Sequence, residues 1–296
     1  MVAANKRSSG APAMAAIRKA YDDAGETMPD GMDPGRLRWR SPATTVLLVG
    51  SFRAMAVYLC HEQPDLHEHG ASVVDAAAGR VVLDRSAFHP GGGGQVCDAG
   101  TLEHAGGVVT VAGIELVDGV TWHVLDDPVL LLAGDVVVRV DAEHRSRVAQ
   151  LHTDSHVLNA IVYDRWPGTL VTGAQINADG TGRMDFDLSA VDNDALRRLD
   201  AAVNDVILSG PDVRATYVDS ADAVSVAGLV RSLSVAPPPT PDGRLRIIEI
   251  DGVDRQACGG THLTNMGQSA PFAITKVESK GARNRRIRFR LDPSAG

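Results

Sequence analysis

Two short runs restrict the folds open to this chain: His152-Thr153-Asp154-Ser155-His156 and, roughly a hundred residues further on, Cys258-Gly259-Gly260-Thr261-His262. Around the first, Leu151, Val157, Leu158 and Ile161 recur at helical spacing. His152 and His156 therefore project from one face of a helix, one turn apart. Such a pair supplies two ligands to a metal but cannot close a tetrahedral site alone. Cys258 and His262 are the natural source of the other two, because Gly259 and Gly260 let the backbone turn tightly enough to aim a thiolate and an imidazole at one point. A fold that uses both runs must bring a loop from far along the chain onto the side of a helix.

Taken singly, neither run means much. A His pair on a helix is usually partly exposed and structural, and a lone Cys is usually a small buried hydrophobe. Together, in a chain with only three Cys, the two short-spaced donor pairs point to a metal. Zinc is favoured, since it suits mixed imidazole and thiolate ligands and no carboxylate-rich cluster nearby argues for magnesium or calcium.

The rest of the chain sets the frame. Its 296 residues allow two domains, each able to bury a core. Hydrophobic content of 44% and charged content of 22% belong to an ordinary soluble protein, and with aromatics at 4% the core must be mainly Val, Leu, Ile and Ala. The net charge of −8 argues against a generally basic nucleic-acid coat, so an anionic partner must be met by a local patch. Cys60, Cys97 and Cys258 form no disulfide framework, and no apolar run has the length of a signal peptide or a membrane helix. The expectation is a cytoplasmic protein with no membrane partner.

Residues 1–40, rich in Ala, Gly, Pro and Ser, read as a poorly ordered extension. Residues 41–147 carry short apolar runs broken by Gly and Asp, such as 46–49, 80–83, 107–111, 121–125 and 135–140. They predict a small antiparallel β-barrel or sandwich. From 148 to 296 helical and strand signals alternate: a helix from 148, strands near 170–175 and 182–186, a helix from about 194 to 208, a Pro-rich loop at 236–243, a strand at 245–250 and a final strand pair within 272–291. The class is α+β, without βαβ periodicity.

Two further stretches are candidates for contact with a ligand. Gly91, Gly92, Gly93 and Gly94, followed by Gln95, allow backbone to lie close to a large ligand with its N–H groups outward. The plainer reading is a flexible hairpin connection. No Gly-Lys-Ser/Thr follows, so the loop is no nucleotide P-loop and no ATP is expected. The segment from Lys276 to Arg290 holds Lys276, Lys280, Arg283, Arg285, Arg286, Arg288 and Arg290 against the single acid Glu278. It is either a place to receive phosphates or an edge strand protected by charge.

In order and spacing, His152-Thr-Asp-Ser-His156, Gly173-Ala-Gln175-Ile176, Arg183-Met-Asp185-Phe186, Cys258-Gly-Gly-Thr-His262 and Asn284-Arg285-Arg286-Ile287 resemble the editing domain of alanyl-tRNA synthetase. The run from Leu83 to Gln95 resembles the glycine-rich motif that precedes it. With no trace of a class II aminoacylation domain, the chain looks like a free-standing, AlaX-type editing protein. The resemblance implies a small β-barrel followed by an α/β two-layer domain around zinc, with His152, His156, Cys258 and His262 as ligands. It implies hydrolysis of the ester in a wrongly charged tRNA, Ser-tRNA(Ala) and sometimes Gly-tRNA(Ala) being the usual substrates. It also implies that the glycine loop and the basic strand, Lys276, Lys280, Arg283, Arg285 and Arg286, face the tRNA acceptor end.

An editing site must accept a hydroxylated amino acid and spare the alanyl ester, which a site built to hydrogen-bond that hydroxyl can do by about 10⁴ or more. Thr153, Ser155 and Gln175 are the polar candidates, Thr153 and Ser155 being equally readable as helix-surface residues. Asp154 offers a base or ammonium partner, but the preferred reading turns it to solvent. Zinc either activates a water or, with four protein donors filling a tetrahedral site, organises the substrate. Two alternatives stay open: a deacylase of threonyl- or modified-threonyl-tRNA that protects against an unusual amino acid, and a non-catalytic tRNA-binding module with structural zinc. A zinc peptidase is disfavoured, since Thr153 stands where a His-Glu-x-x-His enzyme needs its Glu.

Overall fold

Val136, Val138 and Val140 turn inward while Asp135 and the residues between them stay more exposed, the alternation of a strand with one buried face. Strands built this way close into a barrel. In the computed structural model, which describes residues 59–189, 191–220, 226, 228–233 and 243–292, a short helix α1 (Leu59–Glu62) leads into β1 (Glu68–Ala77), β2 (Arg80–Leu83), β3 (Gly100–His104), β4 (Gly107–Val117), β5 (Val120–Leu125) and β6 (Asp135–Val140). These six are antiparallel and close in the order β1-β2-β5-β4-β3-β6 around Val81, Phe88, Leu102 and Val138. Gly100 is obligatory where β3 and β6 meet, because a Cβ there would strike the Arg139 carbonyl and the Phe88 ring. Residues 1–40, the run at 46–49 and all of the Pro-rich loop except Gly243 lie outside the described residues.

Asp141 then caps the long helix α2 (Ala142–Arg165), its carboxylate accepting from the His144 N–H at 2.9 Å. The helix begins six residues before the expected position 148, because its first turn is polar and gives no apolar period. Arg145 in that turn is buried, donates to both carboxylate oxygens of Asp98 and to the Ala87 carbonyl, and so fastens the helix to the barrel.

Beyond it come β7 (Val171–Ile176), β8 (Thr181–Asp187), α3 (Asn193–Arg197), α4 (Leu199–Ser209), β9 (Val213–Asp219), β10 (Arg244–Ile250), β11 (Asp254–Ala257), a 3-10 turn at Met266–Gln268, β12 (Phe272–Ser279) and β13 (Asn284–Leu291). The single helix expected near 194–208 is instead two, broken at Arg198, and the second ends on left-handed Gly210 (φ 62°). Two antiparallel sheets result, β11-β10-β9 and β12-β13-β8-β7. The long helix packs between them, and every residue from Leu151 to Ala160 is buried. Val148, Leu151, Leu158 and Val162 share one core with Ile176, Phe186, Ile248, Ile287 and Phe289. Among the described residues no helix is long and apolar enough to cross a membrane.

Candidate metal centre

The helix turns His152, His156 and Asn159 to one side, three positions that fall on one face at helical spacing. Opposite them, strand β11 and its continuation present Asp254, Gln256 and Cys258, alternate residues of an extended chain. The two faces interlock. Asn159 donates to Gln256 Oε1 at 2.8 Å, His156 meets Asp254, and His152 meets Cys258. The loop then carries His262 back, so that ligand atoms of His152, His156, Cys258 and His262 all lie within 4.8 Å of one another, a group that could hold a metal ion.

Each imidazole is fixed through Nδ1, leaving Nε2 for the centre. His152 Nδ1 donates to Gln95 Oε1 at 2.7 Å. His156 Nδ1 donates to Asp254 Oδ2 at 3.2 Å, and Arg231 Nη1 holds the other carboxylate oxygen at 2.9 Å. His262 Nδ1 donates to Thr153 Oγ1 at 3.2 Å, whose own hydroxyl donates to the Ala149 carbonyl at 2.7 Å. Partners of this kind set the tautomer of a ligating His and its aim. Nε2 of His152 and of His262 stand 3.5 and 3.3 Å from Cys258 Sγ.

The charges agree with that geometry. Enclosure opposes ionisation of Cys258, yet the facing rings of His152, His262 and His156 hold its thiol well below the ordinary range. Burial works against protonation of His156, but the Cys258 thiolate and then Asp254 push it up to about 10. Burial holds His262 well below its usual value. Cys258 is the one member of the group left partly exposed.

The diglycine turn is held from behind. Arg246, buried, donates to the carbonyls of Cys258 and Gly260 at 3.0 and 2.9 Å. Between them the Gly259 carbonyl accepts from His61 Nε2 at 2.7 Å and His89 Nε2 at 2.9 Å. Burial, and then the Arg246 charge, lower His61 to about 3, and burial lowers His89, so both rings are neutral and donate. A Cβ on Gly260 would overlap the His152 ring.

Of the other residues singled out in the sequence, Gln95 belongs to the centre rather than to a free loop. Its amide oxygen accepts from His152 and from the Thr261 N–H at 3.0 Å, and its amide nitrogen donates to Thr261 Oγ1 at 2.9 Å. Gly91 to Gly94 all have positive φ, and the Gly94 carbonyl accepts from the Ile176 N–H at 2.7 Å, tying the loop to the edge of β7. Asp154 contradicts its solvent reading: it is fully buried, accepts from Ser269 Oγ at 2.9 Å, and burial raises its carboxyl well above the usual range. The helix is enclosed on all sides, which periodicity cannot reveal. Thr153 and Ser155 are likewise buried and not surface residues, Ser155 Oγ donating to the His152 carbonyl at 2.7 Å. Gln175 is exposed on the other side of its strand from the core residue Ile176 and bonds Asn177 and Arg183. The structure does not bring it to the cluster.

Within the basic segment Lys280, Arg283 and Arg285 lie in or beside the β12–β13 turn, Arg285 donating to the Gly281 and Asn284 carbonyls. Arg286 is bidentate to Asp185 at 2.7 Å, and Lys276 pairs with Glu278 at 3.2 Å.

Residues 245–288 match the threonyl and alanyl tRNA synthetase second additional domain. The alanyl-tRNA editing protein AlaX-M of Saccharolobus solfataricus is 30% identical over 77% of this chain and 95% of its own length. That of Methanosarcina acetivorans is 34% identical over 71% and 88%. The alanine–tRNA ligase of Korarchaeum cryptofilum is 35% identical over 74% of this chain but only 24% of its own length.

Proposed function

Because the chain belongs to the alanyl-tRNA editing protein family, we propose that it hydrolyses, in trans, the ester of tRNA(Ala) charged with serine, and to a lesser degree with glycine. Alanyl-tRNA editing is the activity carried by the relatives' name, and tRNA is its substrate. The matched region takes in nearly all of the AlaX-M relatives and about a quarter of the ligase.

The observation that carries the reading is the convergence of three imidazoles and the Cys258 sulfur, whose ligand atoms all lie within 4.8 Å of one another. In a tetrahedral zinc site with Zn–S of about 2.3 Å and Zn–N of about 2.05 Å, the sulfur and nitrogen donors stand about 3.5 Å apart. The two sulfur–nitrogen separations here, 3.5 and 3.3 Å, fit that value. His152, His156, Cys258 and His262 would hold the ion. When bound, zinc supplies a fixed positive charge beside the ester, and Lewis-acid chemistry wherever one protein donor yields its place.

The chain's own residues do the rest. Gln95, Asp254 and Thr153 orient the three rings, while Arg246, His61 and His89 hold the turn that bears Cys258. The loop between β2 and β3 of the barrel brings Gln95 and the four glycines to the centre, and the long helix with the turn at 258–262 supplies the donors. The 3′ end of the tRNA enters past Gly91 to Gly94 to the partly exposed side of Cys258. Of the three polar residues considered for acyl recognition, Thr153 touches a ligand ring, Ser155 is spent on its own helix and Gln175 lies elsewhere, so we assign recognition of the seryl hydroxyl to Thr153. Its hydroxyl already accepts from His262 and from the Leu263 N–H at 3.1 Å, one of which the substrate must displace.

The test is hydrolysis across tRNA(Ala) charged with serine, glycine, alanine and threonine. Seryl ester is cleaved fastest and alanyl ester spared by about 10⁴ or more. Cleavage of threonyl ester alone would move the enzyme to the alternative substrate, and retention of tRNA without turnover would defeat the deacylase reading.

A further inference from the structure

The outer face of the four-stranded sheet, turned away from the long helix, carries a charge pattern that the fold does not require. Register sets Gln175 beside Arg183, Arg183 beside Arg288 and Arg288 beside Lys276. Three cations thus lie side by side across neighbouring strands, and like charges directly opposite one another in a sheet are destabilising. Arg286 and Arg290 share the face with Arg288 by alternation along β13.

Five cations meet three carboxylates. Asp185 serves both Arg183 and Arg286, Glu278 serves both Lys276 and Arg288, and Asp292 stands 3.5 Å from Arg290; Asp187, on the same face, is met by Arg283 from the turn at 3.5 Å, so with that pair counted the excess is still two positive charges. The chain as a whole carries −8, so this local reversal of sign is not a by-product of composition. Arg288 meets Glu278 through Nε alone, at 2.7 Å, so its terminal nitrogens keep N–H donors in the geometry that matches phosphate. Lys276, Arg288 and Arg290 stay 62%, 44% and 52% exposed. A groove of about 320 Å³ runs among Arg183, Arg288 and Arg290 with Gln175, Asn177 and Thr181, and no acid lines it.

The place of this face also counts. Gln175 adjoins Ile176, the residue through which the glycine loop joins the sheet, and Gln95 of that loop touches His152. The row of cations therefore begins where the path to the metal centre begins.

We propose that the outer sheet face binds the sugar-phosphate backbone of the tRNA acceptor stem, with the Arg183, Arg288 and Lys276 row receiving phosphates while the 3′ end passes the glycine loop. The partner rests on the aminoacyl-tRNA reading above, but its test does not depend on turnover. Affinity for uncharged tRNA(Ala) is measured over a salt series for the wild type and for the R183Q/R288Q double variant. Each lost phosphate contact lowers the log–log salt slope by about one, so the double variant binds about ten-fold or more weakly with a slope shallower by about two. The same variant hydrolyses the seryl ester of adenosine, which has no backbone phosphates, at the wild-type rate. Arg214→Gln, on the other sheet, changes neither quantity.

Unchanged tRNA affinity and slope in the double variant, or no binding of tRNA(Ala) by the wild type, overturns the proposal. Should the double variant also lose the short-ester activity, Arg290→Gln decides: a slope lower by about one supports the surface, and an unchanged slope overturns it. A wild type that binds tRNA through this face but cleaves no aminoacyl ester would instead defeat the deacylase reading and leave the surface standing.

Discussion

Gln95 shows what a single side chain contributes here. Its amide oxygen accepts from His152 Nδ1 and its amide nitrogen donates to Thr261, so a residue from the barrel's loop fixes the ring of a candidate ligand on the helix. Gln95→Leu keeps the volume and removes both bonds. Loss of such a partner costs 10- to 100-fold in metal affinity or activity, so the variant is expected to lose metal to a competing chelator at that lower affinity and to deacylate more slowly in proportion. A wild-type metal affinity in the variant would show that His152 needs no such support. The four donors are legible in the sequence because their spacing is short and local. Gln95 is not, since it reaches His152 only through a loop closed far along the chain. Asp254 has a readable signal: Asp254, Gln256 and Cys258 alternate, as strand residues sharing a face must. Asp154 and Ser155 mislead, because the period of a helix says which residues share a side but not how many sides are covered.

At the scale of the element, the long helix is the part on which the site is built, and its first turn decides where it sits. Arg145 and Asp98 form a buried pair, 3% and 2% exposed, that couples this turn to the barrel. Removing one partner of such a pair leaves an uncompensated buried charge, worth about 3–5 kcal/mol. Asp98→Asn should lower the urea-unfolding free energy by about that amount, and a loss below about 1 kcal/mol would mean that the barrel and helix do not depend on the pair. Neither residue is conspicuous in sequence, Arg145 lying in a polar turn before the apolar period begins. The barrel strands β2, β4, β5 and β6 are legible because their Val-rich runs alternate or are bounded by Gly. Strands β1 and β9, with Gly, Ala, Asp and Arg among their residues, give no such signal and take their structure from paired neighbours. The break at Arg198 is equally silent, since apolar positions continue in helical spacing on both sides of it.

For the molecule as a whole, the fold brings together what the sequence keeps apart: a glycine loop from the barrel, two candidate ligands from the helix, two from a distant turn, and a positively charged sheet face beside them. The α+β class, with a small antiparallel barrel or sandwich first, follows from the pattern of strand and helix signals, whereas the closure of six strands and the enclosure of the helix between two sheets need the tertiary structure. On the proposed function, His152, His156, Cys258 and His262 hold one metal on which deacylation depends. Metal content and Ser-tRNA(Ala) hydrolysis measured together on Cys258→Ala test it most directly. The variant is expected to retain no stoichiometric zinc and no deacylation, while still binding uncharged tRNA(Ala) through the outer sheet face; wild-type hydrolysis by a metal-free Cys258→Ala protein would rule out a metal-dependent site.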